Sequence, residues 1–257
     1  MTDDQRGVSE VISFVLVFSL VISTIGIVYV SGFSGLDTVQ DNERVSNAER
    51  AFDVLGDNIE DIYAEDAPSR ATEIKLSDAQ LTIRDSTTMR VEVTNVTNGS
   101  GPDVYSRDID SIVYTTNGDS EIVYEAGAII RTDGSNGIMK REPPFLFTKD
   151  NSVRRAILPI IQTRSVGTRS IGGSTTVLVR TEESVKQAMT IRRNAVFEVQ
   201  LTFETTEARA PIWETYLDEQ IQWATDPCSS SGGTVTCTVT VDELYVTWTG
   251  IDTSLEN

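Results

Sequence analysis

The sequence predicts an N-terminal transmembrane helix running into an amphipathic helix, followed by a mainly antiparallel, sandwich-like β domain with one additional helix. Three observations carry that reading: an uncharged apolar run from Val11 to Val30, an apolar stripe at helical spacing from Val45 to Ile62, and period-two alternation over most of the remaining chain.

Twenty helical residues rise about 30 Å, the thickness of a bilayer's hydrocarbon core. Fourteen positions of the run are Val, Ile, Leu or Phe, against Ser13, Ser19, Ser23, Thr24 and Gly26. Each large apolar residue favours insertion by about 0.3–0.6 kcal/mol, so the run inserts. It is too long for a strand, and lipid admits only helices and closed barrels. A plain signal anchor is one use of such a run. A cleaved secretory signal is another, and the small residues Ser31-Gly32-Phe33-Ser34-Gly35 follow the run. Such signals prefer a basic leader and an apolar stretch of about 7–15 residues. Here Asp3 and Asp4 outnumber Arg6.

A third use comes from Arg6-Gly7-Val8-Ser9-Glu10-Val11-Ile12, which leads directly into the apolar helix. This stretch resembles the prepilin leader of haloarchaeal type IV pilins and pilin-like proteins. The resemblance implies that a prepilin peptidase cuts between Gly7 and Val8 on the cytoplasmic side. It divides the chain into a leader (1–7), a transmembrane pilin-like helix (8–35), an amphipathic helix (36–66) and an extracellular β-rich domain (67–257). It also implies the lipid bilayer and other pilin-like subunits as partners. The family's usual proline at the third mature position is Glu10 here. Glu10 is either an assembly contact, as acidic residues near the helix start are in bacterial pilins, or an interfacial charge favoured by the helix dipole.

After the run, apolar residues recur at Val45, Ala48, Phe52, Leu55, Ile59 and Ile62, with Glu49, Arg50, Asp53, Asp57, Glu60 and Asp61 between them. Alternating steps of three and four put the apolar set on one helix face. The stripe is short for a coiled coil, and packing on the protein's own β domain is the expected use.

Ala67-Pro68-Ser69 ends the helical region, since a residue before proline avoids the helical conformation. Strands are expected over Glu73–Leu76, Ala79–Arg84 and Met89–Val96, with a turn at Asn98-Gly99-Ser100-Gly101-Pro102. Ile112–Thr116 and Glu121–Glu125 flank Asn117-Gly118-Asp119, a hairpin signal because Asn-Gly accepts positive φ. Ala128–Thr132 reads as a strand and Asp133–Gly137 as a loop. Val153–Thr163 follows, with Pro159 at an edge or bulge, then Ser174–Arg180 and Ala195–Glu204. Pro211 opens a helix whose apolar face is Trp213, Leu217, Ile221 and Trp223, and a last strand covers Val239–Trp248.

Thirty-nine acidic residues against 21 basic ones give a net charge of −18, the wrong sign for nucleic acid or an anionic membrane surface. Lysine is confined to Lys75, Lys140, Lys149 and Lys186. An acidic, lysine-poor surface suits molar salt, where the Debye length shrinks to about 3 Å. The chain has no histidine, which removes every His-based nucleophile, general base and metal cluster. No phosphate-binding loop or calcium loop is present in the sequence, so no catalytic residue, metal or cofactor is expected. A structural, assembly or adhesion role is therefore expected. The rival readings are an uncleaved anchored binding module and an anchored hydrolase, which would need pocket carboxylates with raised pKa values.

Cys228 and Cys237 bracket a Ser/Gly loop, and in a domain outside the membrane their spacing reads as a disulfide closing a hairpin. Asn95-Val96-Thr97 and Asn98-Gly99-Ser100 are glycosylation acceptor triplets on one expected outward turn.

Overall fold

The computed structural model describes residues 4–116 and 120–257, apart from the side chains of residues 4–10 and 31–42. The expected turn residues Asn117, Gly118 and Asp119 lie outside the described residues, as do Met1–Asp3 of the leader. The chain forms two compact units, Met1–Asn47 and Ala48–Asn257.

Helix α1 spans Asp4–Glu65. Its last five turns or so belong to the second unit, and there the sequence stripe is buried: Ala48, Phe52, Leu55, Ile59 and Ile62 are each at most 2% exposed. The helix stops at Asp66, which takes φ 58°, two residues before Pro68. A left-handed residue followed by proline is a common way to end a helix. Gly56 sits mid-helix because strands approach it there: a Cβ at this position would meet Arg141 Nη1 at 2.8 Å and Ile129 Cδ1 at 3.1 Å.

Fourteen strands follow: β1 Ser69–Lys75, β2 Ala79–Asn95, β3 Ser100–Thr115, β4 Ser120–Glu125, β5 Ala128–Asp133, β6 Asn136–Arg141, β7 Leu146–Asp150, β8 Val153–Ser165, β9 Ser170–Gly173, β10 Thr176–Arg192, β11 Phe197–Glu204, β12 Cys228–Ser231, β13 Thr234–Val241 and β14 Glu243–Glu256. Helix α2, Ala210–Gln220, interrupts them after β11. One sheet has the order β1-β10-β14-β8-β7; the other has β12-β13-β11-β2-β3-β4-β5-β6, with β9 also on β2. All pairings are antiparallel except β8 with β14. Inward residues of both sheets and α2 share one core, including Val91, Leu158, Leu201, Trp213 and Val246. This is the layered β architecture that the alternation predicted. The larger sheet is curled, because α2 lies against β12 and β13 at one end of it and β6 at the other.

Several boundaries differ from the sequence reading. Ala79–Arg84 and Met89–Val96 are parts of one strand, β2, interrupted by a register shift between Asp85 and Thr87. Of the residues between them, Ser86 and Thr87 point into a buried polar cluster. The expected turn at Asn98–Pro102 is tighter: β3 already begins at Ser100. Asp133–Gly137 is a hairpin rather than a loop, turning at Gly134-Ser135 between β5 and β6. Val239–Trp248 is two strands, since the chain leaves one sheet at Val241 and enters the other at Glu243. The buried positions slip by one residue at Asp242, from Val239 and Val241 to Leu244 and Val246, and that slip marks the corner. Pro159 does lie on an edge: the last β7–β8 pair is Leu146 with Ile157, and beyond it β8 is paired only with β14.

The corner at Asp242 is held by Arg154, whose backbone N–H and guanidinium Nε and Nη2 donate to the Asp242 carboxylate at 2.8, 2.9 and 3.0 Å. These bonds hold the Asp242 carboxyl below the usual carboxylate range. A carboxylate with a depressed folded pKa contributes stability that is complete above its unfolded value near 3.9 and lost as pH falls through the lower folded value. Asp242→Asn is therefore expected to destabilise the protein at pH 6–7, and the gap from the wild type should shrink below pH 4 in urea titrations. A gap constant from pH 7 to pH 2 would exclude this role.

Candidate functional site

Three places combine exposure, burial or charge unusual enough to bear on function. The first is the apolar run on α1. From Val11 to Val30 every side chain is exposed, with Phe14 at 69% and Val28 at 71%. The run is long and apolar enough to cross a membrane, with mean hydropathy 2.7. One of its hydroxyls is bonded within the helix: that of Thr24 donates to Val21 O at 2.9 Å. Such a bond lowers the cost of placing a hydroxyl in hydrocarbon. Phe14 and Phe18 stack at 6.1 Å, as expected for neighbours four apart. Gly7 and Val8 lie in the same helix near its start, and the side chains of Val8 and Glu10 lie outside the described residues.

The second is the clasp between the later part of α1 and the β strands of the same compact unit. The β5–β6 hairpin sends three cations to the helix: Arg131 and Lys140 meet Glu49 at 3.1 and 3.4 Å, and Arg141 meets Asp57 at 2.6 Å and also Glu60. From β1, Arg70 bonds Asp61 at 2.8 Å, and the Asn58 amide donates to the Thr72 hydroxyl at 2.8 Å. Four of the carboxylates that lie between the stripe residues, Glu49, Asp57, Glu60 and Asp61, thus take part in docking. Each such pair contributes about 0–1 kcal/mol, so the buried stripe supplies most of the hold. The Tyr63 hydroxyl lies close to this clasp, and burial, helped by the Glu60 charge, pushes its pKa up to about 12.

The third is a buried ionic cluster that sequence reasoning missed. Glu125 ends β4 and is 0% exposed; Arg209, just before α2, is 3% exposed. They pair at 2.5 Å. Glu125 Oε2 also accepts from Thr87 at 2.6 Å and Ser111 at 3.1 Å, while Oε1 accepts the Trp213 indole N–H at 2.7 Å. Thr205 Oγ1 lies 3.3 Å from both oxygens. Arg209 is further held by Thr206 at 2.9 Å and Ser86 at 3.2 Å. The shift in β2 explains the supply of hydroxyls, because a bulge breaks strict alternation and lets neighbours Ser86 and Thr87 both reach the cluster. Trp213 also stacks on Phe203 at 4.3 Å. A buried charge needs a partner and full hydrogen bonding, and this one has both. One signal was visible in the sequence: a carboxylate directly following Ile122-Val123-Tyr124 on a strand buried on both faces.

Of the remaining expected sites, the disulfide is present and the two acceptor asparagines lie at the end of β2 and in the turn after it. Cys228 and Cys237 form a disulfide across directly opposed positions of β12 and β13. The bridge packs beside α2, whose Asp218 accepts the Cys228 N–H at 3.0 Å. Asn95 closes β2 and its Oδ1 accepts the N–H groups of Thr97 and Asn98; Asn98 is exposed in the turn and its Oδ1 accepts from Ser100. Asp133 is held below the usual carboxylate range first by Ser120 and then by Arg131, so it is shifted in the same direction as Asp242. Among the described residues no group of three or more Cys, Asp or Glu is placed to hold a metal ion.

A family model described as a family of unknown function, DUF7289, matches residues 6–254. No curated protein and no solved structure matches the chain.

Proposed function

The chain belongs to the DUF7289 family, and from that premise we propose that it is a membrane-anchored, type IV pilin-like cell-surface protein of a halophilic archaeon, with a structural, assembly or adhesion role. The observation that carries this reading is the apolar run on α1: twenty consecutive uncharged positions, all exposed, separated by three residues from the basic-glycine pair Arg6-Gly7. A helix that is apolar all round needs lipid or like helices around it. Prepilin peptidase cuts between Gly7 and Val8, and the rest of the helix stays as the anchor and as the surface that packs against other pilin-like subunits. The β domain faces the cell exterior, which suits its disulfide, its acceptor triplets and its acidic, lysine-poor surface. Glu10 near the new N-terminus is an assembly contact in this scheme.

The test is the N-terminal residue of protein purified from its native membranes. We expect Val8, and we expect Gly7→Phe to retain the seven-residue leader, visible as a mass difference. A wild-type chain that keeps its leader would overturn the pilin-like reading and leave a single-pass anchored binding module.

A further inference from the structure

We propose that the groove between edge strand β6 and helix α2 binds an extended segment of a partner protein that alternates apolar and cationic residues, the segment adding to β6 as a further strand. This stands apart from processing at Gly7, because every residue involved lies in the β-rich unit.

β6 is the last strand of its sheet, paired only with β5. Among the described residues no turn or loop backbone hydrogen bond reaches it. Exposed edges are usually blunted by charge or proline. Here the sequence Asn136-Gly137-Ile138-Met139 carries neither, and the two cations that follow, Lys140 and Arg141, are committed to α1 carboxylates. The edge is therefore open for pairing.

Beside it lies a groove of about 460 Å³, lined on the strand side by Ile138 and Met139 and on the helix side by Ile212 and Tyr216. That volume falls in the usual range of ligand sites, about 300–1,000 Å³. Ile138 is 56% exposed, so its side chain is accessible to an occupant of the groove. The helix can come this close because residue 137 is glycine: a Cβ there would lie 2.6 Å from Ile212 Cδ1. Strand addition next to a helix gives affinity through main-chain bonds and specificity through the side chains that reach the groove.

Charge decides which segment fits. Glu142 and Glu219 also line the groove. Glu142 receives only a long bond from Gln220, at 3.4 Å, and neither carboxylate has an ion pair among the described residues. An anionic segment would meet both carboxylates and a chain of net charge −18. A segment carrying Lys or Arg pairs with them, while its apolar residues cover Ile138 and Ile212.

The experiment uses the full chain in detergent and a fluorescent eight-residue peptide of alternating valine and lysine, followed by anisotropy. Saturable binding is expected. The double variant Glu142→Gln/Glu219→Gln should weaken it by about tenfold or more, equivalent to about 1.4 kcal/mol. A peptide N-methylated at alternate amides, which cannot complete the strand ladder, should also bind at least tenfold more weakly. Non-saturable binding, binding equal in the double variant, or binding indifferent to N-methylation would each overturn the proposal.

Discussion

Glu125→Gln is expected to lower the unfolding free energy by about 3–5 kcal/mol, because it leaves the guanidinium of Arg209 buried without a counter-charge. The remaining partners of Arg209, Thr206, Ser86 and Ser111, are neutral hydroxyls and cannot compensate a full charge. The amide can still receive the Trp213 indole N–H, so the loss reports the ion pair more than the packing. The double variant Glu125→Gln/Arg209→Met should recover much of the loss, since removing both charges avoids the unpaired state. Urea unfolding of the three proteins measures this. A single-variant loss below about 1 kcal/mol would mean that the pair does not hold α2 to the sheet. The consequence for function is positional: Arg209 precedes α2 directly, so the same contact sets the helix that walls the β6 groove.

Phe52→Ala is the second large effect, expected at about 3–5 kcal/mol. Phe52 is fully buried in the stripe that docks α1 onto its compact unit, whereas Val54, two residues on, is 51% exposed. Val54→Ala should change stability by no more than about 0.5 kcal/mol, which makes it the control. Amide exchange over residues 48–65 should accelerate in Phe52→Ala and stay unchanged in Val54→Ala. Equal behaviour of the two variants would show that the ion pairs with Arg131, Lys140 and Arg141 hold the helix, and not the stripe. The same helix carries both the apolar run and the docking stripe.

Much of this was legible without coordinates. Spacing alone placed the stripe from Ala48 to Ile62, the α2 face at Trp213 and Leu217, the hairpin of β3 and β4, and the bridge between Cys228 and Cys237, whereas Ile221 and Trp223, also expected on that face, lie past the end of α2 at Gln220. Each of these depends on residues close in sequence, where a period or a short loop is the physical cause. The rest was not legible for a physical reason: the partners of Ser86 and Thr87 come from strands distant in sequence, and the slip of the apolar positions at Asp242, from Val239 and Val241 to Leu244 and Val246, does not reveal that the chain changes sheets there.

The sequence by itself thus determined the apolar run, the helix stripe, the strand-rich composition of the second unit and the disulfide, all set by local pattern and covalent proximity. Only the tertiary structure decided that Glu125 would be a buried ion, since its partners come from positions 38, 84 and 88 residues away in Thr87, Arg209 and Trp213. It also decided that β6 would end the sheet beside α2. Periodicity states which face of an element is buried; what it is buried against follows from strand order, which is fixed by chain crossings that no local pattern encodes.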